Sequence, residues 1–317
     1  MVANQTSTQF KAIEKIGKRL FMNELETNLK MFLDWSFLQI GDFYNVSIPT
    51  SGQYGGDFAT LRPVQDRQFT DGKVWEGVRK EWVWESDLDF TVQPNPVTGV
   101  VVDGSMVTGG FHVNHPLGRI VFDTAISTTS TVKVSHSYRA VQVYKSDDAP
   151  WFRELQYGSY RAEDTQFQQT TKGEWNIGGH QRVQLPAIII ESVPRAYSTP
   201  YEVGNGTAQV RNQDVMLHVI AENGFDRNQL VDALLLQQDL NIVLYDTDDV
   251  IASGDYPLNY RGSLTAADLN YPDLVEQHPW EKARWKSVVC AEVESPHPKL
   301  YEAKVRVTFE SILGQLK

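Results

Sequence analysis

Carboxylates close to tryptophans form the first pattern in this 317-residue chain that could carry out chemistry. Asp87 and Asp89 are two residues apart and would share one face of a strand, and the acidic, tryptophan-containing segment 81–85 precedes them. A glycosidase needs two carboxylates at a defined separation, one with a raised pKa, beside an aromatic ring that stacks on the sugar. Acidic residues on a solvated strand face are far commoner, so we expect no catalysis at this pair.

Two further patterns could bind a metal ion. His112 and His115 are three residues apart, so on a strand their rings would lie on opposite faces; in a turn they could converge, but no third ligand is indicated. The acidic run 246–249 resembles the start of a calcium loop. However, Ile251 occupies the position of the loop's invariant glycine, and Pro257 occupies that of its bidentate carboxylate. We therefore expect no metal site.

Nucleophile and phosphate motifs are also missing from the sequence. The one cysteine, Cys290, lies in the apolar segment VVCAEV, where a cysteine usually packs as a small buried hydrophobe. There is no Gly-x-Ser-x-Gly sequence, and the glycine-rich segment Gly52–Gly56 lacks the Lys and Ser/Thr of a P-loop. The chain is predicted to be no enzyme and to hold no cofactor.

Composition limits the partners of the chain. Its 29 Lys and Arg against 40 Asp and Glu give a formal net charge of −11, which disfavours non-specific binding to nucleic acid or to an anionic membrane surface. A single cysteine excludes an internal disulfide. No run of 18 apolar residues and no secretory signal pattern occurs, so we expect a soluble protein from a reducing compartment. The length favours two domains.

The elements that must position these residues fall into three regions. Residues 1–38 read as a helical segment, because apolar residues recur at steps of three and four between Phe10 and Leu33. This helix either packs on the body of the protein or contacts a neighbouring subunit. Residues 39–150 read as a β-rich domain and residues 151–317 as an α+β domain.

The β-rich domain is predicted from its turns and its alternation. Asp71-Gly72 and Asp103-Gly104 are hairpin signals, and segments 87–93 and 130–144 read as strands between turns. In segment 130–144 one face carries Val132, Val134, His136 and Tyr138, and the other carries Lys133, Ser135, Ser137 and Arg139.

Residues 151–317 show the order β-β-α-β-loop-β-β. A short helix near 151–164 and a polar loop at 165–181 come first, Asp226 is the expected N-cap of the later helix, and the stretch from Thr247 to about Arg284 reads as irregular. The predicted fold class is α+β: an N-terminal helix and an antiparallel β-rich domain, followed by an antiparallel sheet with a covering helix.

The segment 185–246 resembles the α+β module of bacteriophage neck and tail-completion proteins, which include tail terminators and head–tail joining proteins. The resemblance rests on Leu185-Pro186-Ala187-Ile188, a glycine-containing turn, Gln213-Asp214-Val215 and a helix with Leu230-Val231-Asp232-Ala233-Leu234. The segment 109–144 is similar to β-rich phage virion sequences. About 150 residues precede the module here, whereas a simple tail terminator consists of the module alone.

This resemblance implies a structural virion protein of a long-tailed phage, assembled in the host cytoplasm. It would form a ring, with a hexamer suspected, that ends the tail tube and contacts the head connector, other neck proteins and tail-tube or sheath proteins. DNA would pass through the lumen without specific binding, which suits an acidic subunit because like charges repel.

Aromatic residues are the candidate subunit contacts, since aromatic side chains are enriched at interfaces. They are Trp35, Phe37, Phe43, Tyr44, Trp75, Trp82, Trp84 and Trp280. The alternative is a tail-associated carbohydrate-binding or receptor-binding module that uses the three tryptophans of the β-rich domain.

Overall fold

The computed structural model describes residues 21–48, 58–158, 167–170, 173–178, 180–201, 209–265 and 269–313. The first half of the predicted N-terminal helix and the segment Gly52–Gly56 lie outside the described residues. The α+β fold class is confirmed by the helices and sheets of the described part.

The helices are α1 Phe21–Gln39, α2 Pro150–Tyr157, α3 Gly224–Leu235, α4 Thr247–Ser253 and α5 Tyr271–Gln277, with a 3-10 turn at Ser146–Asp148. The strands are β1 Phe43–Val46, β2 Thr60–Pro63, β3 Val74–Glu76, β4 Val100–Val102, β5 Ser105–Val107, β6 Phe111–Asn114, β7 Arg119–Phe122, β8 Val132–Val134, β9 His136–Arg139, β10 Gln142–Lys145, β11 Phe167–Gln169, β12 Trp175–Ile177, β13 His180–Val183, β14 Ala187–Pro200, β15 Gln209–Ala221, β16 Asn241–Tyr245, β17 Pro279–His297 and β18 Leu300–Leu313.

A six-stranded sheet in the order β10-β14-β15-β18-β17-β16 is the centre of the molecule. All neighbours are antiparallel except β10 and β14, which are parallel. Strands β14, β15, β17 and β18 have 14, 13, 19 and 14 residues, so each is about 40–60 Å long. The predicted order of strands and helix is confirmed, and α3 packs on β15, β18 and β17.

Helix α1 connects the two sides of this sheet. It contacts β10 and β14 on one side and β16 on the other, although three strands separate β14 from β16. Its buried residues Leu25, Leu29 and Leu33 join the core formed by the sheet and α3. The sheet is therefore curled around α1, and the described part of the predicted N-terminal helix packs on the body of its own chain.

Side chains of α1 also satisfy backbone groups at the sheet margins. Asn28 accepts a hydrogen bond from the Tyr245 amide at 2.7 Å and donates one to the Tyr245 carbonyl at 3.1 Å. On the opposite side, the Ser192 amide donates to the Glu26 carboxylate at 3.0 Å. The backbone groups of Tyr245 on β16 and of Ser192 on β14 therefore find hydrogen-bond partners in α1 instead of in a neighbouring strand.

The β-rich region contains a seven-stranded sheet in the order β5-β4-β8-β2-β3-β7-β6 and a two-stranded pair of β1 and β9. The hairpin predicted at Asp103-Gly104 is confirmed by the pairing of Val102 with Ser105. A second core fills this region and includes Trp75, Trp82, Ile120 and Val134.

Two strand predictions in the β-rich region are wrong. Segment 130–144 forms three short strands, β8, β9 and β10, which belong to three different sheets. Ser137 and Arg139, from the more polar of the two predicted faces, are buried. Segment 87–93 contains no strand, since positive φ at Asp87 (+55°) interrupts the extended backbone.

Three predictions for residues 151–317 also need correction. Where it is described, the predicted polar loop 165–181 contains β11, β12 and part of β13, which form a three-stranded sheet. The stretch predicted as irregular contains α4, α5 and the start of β17. The N-cap of α3 is Asn223, whose side chain accepts the amide of Asp226 at 2.8 Å.

Candidate functional site

A cavity of about 490 Å³ lies where α1, the β-rich region and the loop at 256–258 meet. Its wall is unusually rich in charged and aromatic groups, including Lys30, Lys80, Glu81, Trp84, Arg139 and Tyr144. A concave site with several titratable groups is the default place to look for binding or catalysis.

Ion pairs lie in and beside the wall of this cavity. Arg139 donates a hydrogen bond to the Glu85 carboxylate at 2.5 Å and another to the Asp34 carbonyl at 3.2 Å. On α1, Lys30 pairs with Asp34 at 2.8 Å. Burial alone would lower the pKa of Arg139, but the charges of Glu85 and Asp34 outweigh burial and raise it, so the guanidinium stays charged.

Glu81 differs from these paired groups. It is half-buried, forms no direct ion pair with another described residue, and has a positive φ of 50°. Burial raises the pKa of its carboxyl to about 7; the Lys30, Arg139 and Lys80 charges oppose this rise, and Asp34 adds to it. Because this carboxyl titrates near neutral pH, the stability of the junction around it should depend on pH.

Stability should fall as the pH rises through the folded-state pKa of Glu81. Between pH 4.5 and about 7 the folded carboxyl keeps a proton that an unfolded glutamate has released. The native state therefore loses about 2–3 kcal/mol across this window, allowing for the partial exposure of the carboxyl. We expect Glu81→Gln to be more stable than the parent by this amount at pH 8, with the difference shrinking toward zero at pH 4.5. Urea unfolding over a pH series measures both profiles.

Asp89→Asn is the matched control, because Asp89 is an exposed carboxylate nearby in the same segment. Its profile should follow that of the parent at every pH. A Glu81→Gln variant that loses stability between pH 4.5 and 7 as steeply as the parent would contradict the assignment.

The opposite face of the large sheet carries a second charged cluster. His218 lies between Glu302, whose Oε1 is 2.7 Å from Nδ1, and Glu191, whose Oε2 is 3.0 Å from Nε2. Gln156 of α2 donates to both oxygens of Glu302, and Phe152 packs edge-on against the imidazole. Because the imidazole and Glu302 are buried, the cluster fastens α2 to the sheet.

The histidines considered as metal ligands do not converge. His115 is buried, with Nδ1 3.2 Å from the Gly262 carbonyl, and burial lowers its pKa to about 4. His112 lies 4.0 Å from Asp123. No group of three or more His, Cys, Asp or Glu residues in the described part of the chain is arranged to hold a metal ion.

The remaining residues considered for catalysis or metal binding cap a helix, lie in an exposed loop or pack against the core. Asp246 caps α4 by accepting the amides of Asp248 and Asp249, so the acidic run is a helix start. Asp87 and Asp89 are exposed and irregular, and Cys290 packs partly buried against the main core.

The candidate interface aromatics fall into two groups. Trp75 and Trp82 are each 1% exposed, and Phe37 is also buried, so these three rings lie in the cores of the chain. Tyr44 is exposed, and the partly buried members are Trp35, Phe43, Trp84 and Trp280. Their role as subunit contacts stays a prediction, and the carbohydrate-binding alternative would depend on Trp84 alone.

Two stretches of the large sheet have an outer edge that no described strand pairs. Strand β10 covers only Ala187–Ile190 of β14, and β16 covers only the part of β17 before Trp285. The remaining parts of β14 and β17 lie at diagonally opposite corners of the sheet. Unpaired strand edges are templates for addition of another strand.

No protein-family model matches the chain, and no curated protein matches its sequence. None of the helices in the described ranges is long and apolar enough to cross a membrane.

Sequence reasoning missed three residues that organise the site. Arg139 was placed on one face of a strand with no partner assigned to it, and Glu85 and Glu81 were grouped with surface carboxylates. A charged residue among alternating β residues close to aromatics is a sign that Arg139 could be buried. The sequence does not show its partner, because Glu85 is 54 residues away.

Proposed function

We propose that this chain is a structural subunit of the neck of a long-tailed bacteriophage, where it forms a ring that ends the tail tube and joins it to the head connector. The observation that carries the proposal is the large sheet formed around segment 185–246. Its long strands form a rigid scaffold, and no described strand pairs the outer edge of β14 at Arg195–Thr199, which suits a subunit that binds a neighbour there. The subunit acts by assembly and performs no turnover.

The charge of the chain supports the same role. A formal net charge of −11 per subunit repels DNA phosphates, and a ring of several copies multiplies that charge. DNA could then move through the lumen without adhering to it. Two ion pairs, Lys30 with Asp34 and Arg139 with Glu85, connect the segments around the charged cavity, and we assign the cavity a structural role.

Electron microscopy of virions labelled with an antibody against this chain tests the proposal. We expect the label at the junction between head and tail, and we expect the purified chain, or the chain mixed with tail ends, to have the native mass of a closed ring. Label confined to tail fibres or to the capsid shell would contradict the neck assignment. Label on the fibres together with glycan binding by the full chain would favour the carbohydrate-binding alternative.

A further inference from the structure

Three consecutive residues, Lys80, Glu81 and Trp82, all line the charged cavity. In an extended segment, neighbouring side chains point to opposite sides. The positive φ of Glu81 (+50°) breaks this alternation, and residues that carry a side chain seldom adopt such a backbone conformation. The strained backbone therefore brings the side chains of Lys80 and Glu81 to the same cavity.

Hydrogen bonds on both sides hold this strained backbone in place. The buried side chain of Gln184 accepts the Lys80 amide at 2.5 Å and donates to the Lys80 carbonyl at 3.4 Å. The Glu81 amide donates to the Pro116 carbonyl at 3.1 Å, and the Glu81 carbonyl accepts the Arg139 amide at 3.1 Å. Strained residues that their surroundings fix in this way cluster at binding sites and active sites, where the strain places a side chain.

Lys80 differs from the other cations of the cavity wall. No carboxylate of a described residue lies within ion-pair distance of its ammonium group. Burial and the Arg182 charge lower the pKa of Lys80, against the opposing effect of nearby glutamates. The other cations are paired: Lys30 with Asp34, Arg139 with Glu85, Lys145 with Asp148, and Arg182 with Glu76 and Glu174. A partly buried ammonium without a partner is unfavourable, so the cavity can accept one negative charge.

The cavity also offers neutral hydrogen-bond donors. The Tyr144 hydroxyl and the Trp84 indole N–H line it, and neither has an acceptor in the part of the chain that the structure describes. Burial raises the pKa of the Tyr144 hydroxyl well above its ordinary value, so this group keeps its proton. The apolar part of the wall includes Met31, Leu117 and Leu258. This combination suits an anion with acceptor oxygens and an apolar or ring-shaped body.

Glu81 makes the fit of an anion depend on pH. Burial raises the pKa of its carboxyl to about 7, so the group is a neutral donor at lower pH and repels a second carboxylate at higher pH. The charged groups around it are Lys30, Asp34, Arg139 and Lys80. Burial opposes the charges of Lys30 and Arg139, but neighbouring carboxylates outweigh it and raise both pKa values, so both stay charged between pH 6 and 8. His115, next to Pro116, stays neutral because burial lowers its pKa to about 4.

We propose that the charged cavity binds a small molecule with one carboxylate, which pairs with the Lys80 ammonium and accepts hydrogen bonds from the side chains of Glu81 and Tyr144. One negative charge matches the one ammonium without a partner in the described wall, whereas a phosphate dianion would bring a second charge that no free cation there neutralises. The site goes beyond the proposed neck function and does not depend on it. The ligand adds to the ion pairs that connect the segments around the cavity.

Isothermal titration calorimetry of the full-length chain with benzoate and with glucuronate tests the site, because one probe has an aromatic body and the other a sugar body. Benzamide and glucose are the uncharged counterparts. At pH 6 we expect at least one of the two carboxylates to bind saturably with a Kd of about 1 mM or tighter, and its uncharged counterpart to bind at least about tenfold more weakly. Binding of neither carboxylate at pH 6, or equal binding of the uncharged counterparts, would overturn the inference.

The pH dependence of binding reports on Glu81. With a pKa of about 7, its carboxyl is mostly protonated at pH 6 and mostly charged at pH 8, so the carboxylate probe should bind about tenfold more weakly at pH 8. Glu81→Gln keeps a hydrogen-bond donor and cannot ionise, so its Kd should agree within about twofold at the two pH values. A Glu81→Gln variant with the pH dependence of the parent would contradict the proposal.

Lys80→Met removes the unpaired ammonium, and Lys133→Met is the matched control, because Lys133 is also a half-buried lysine but lies outside the cavity. We expect Lys80→Met to weaken carboxylate binding at pH 6 by about tenfold or more and Lys133→Met to leave it unchanged. Since the Lys80 ammonium pairs with no described carboxylate, Lys80→Met should unfold at the same urea concentration as the parent. Unchanged binding in Lys80→Met, or equal losses in both variants, would refute the site and leave the neck assignment standing.

Discussion

Replacing Arg139 with methionine should lower the free energy of unfolding by about 3–5 kcal/mol, because removing one member of a buried ion pair leaves the other charge without its partner. Arg139 and Glu85 are both buried and are joined at 2.5 Å. The same guanidinium donates to the Asp34 carbonyl of α1, so the substitution also loosens α1 from the β-rich region. Urea unfolding at pH 7.5 measures the loss.

Two further variants separate burial from charge. Arg153→Met removes an ion pair with Asp147 in which both side chains are exposed, and it should cost less than about 1 kcal/mol. The double variant Arg139→Met with Glu85→Leu replaces the buried pair by apolar groups and should recover most of the loss. Equal losses in Arg139→Met and Arg153→Met would contradict the assigned role of burial.

Arg139 also illustrates why sequence alternation failed in this region. The pattern of segment 130–144 was interpreted as a single alternating strand with two faces. In the structure the segment forms three short strands, and Arg139 is buried because α1 and the segment 81–85 supply its partners Asp34 and Glu85. The alternation was real, but nothing local in the sequence says what covers a strand face.

Elements whose determinants are local were predictable. Helix α3 and strand β16 follow from apolar spacing and a turn within about 25 residues, and the β17–β18 hairpin follows from alternation around Pro296-His297-Pro298. The cap of α3 was misassigned by three residues because both Asn223 and Asp226 are good capping residues, and their side chains contact each other at 2.7 Å.

Elements that depend on distant partners were not predictable. Strand β10 pairs with β14 in parallel across more than 40 residues of sequence, and only tertiary packing selects that partner. The charged cavity also depends on residues that are distant in the sequence. Its Lys30, Glu81 and Arg139 come from three separate segments, so their effects on one another's pKa values cannot be read from spacing.

Asn28→Ala should destabilise the chain by about 2–5 kcal/mol, since each buried backbone group left without a partner costs about 1–3 kcal/mol. Asn28 is fully buried, and its amide satisfies both the N–H and the carbonyl of Tyr245 on β16. The Asn28 side chain therefore makes the two hydrogen bonds that a neighbouring strand would make to Tyr245.

Asn241→Ala is the matched control, because Asn241 begins the same strand but is exposed, and it should change stability by less than about 0.5 kcal/mol. Asn28→Asp keeps the acceptor for the Tyr245 amide but loses the donor to the Tyr245 carbonyl and buries a charge, so it should also be strongly destabilising. Hydrogen exchange of the Tyr245 amide provides the site-specific measurement. In Asn28→Ala this amide should exchange much faster than it does in the parent, whereas unchanged protection there would show that α1 does not hold the edge of β16.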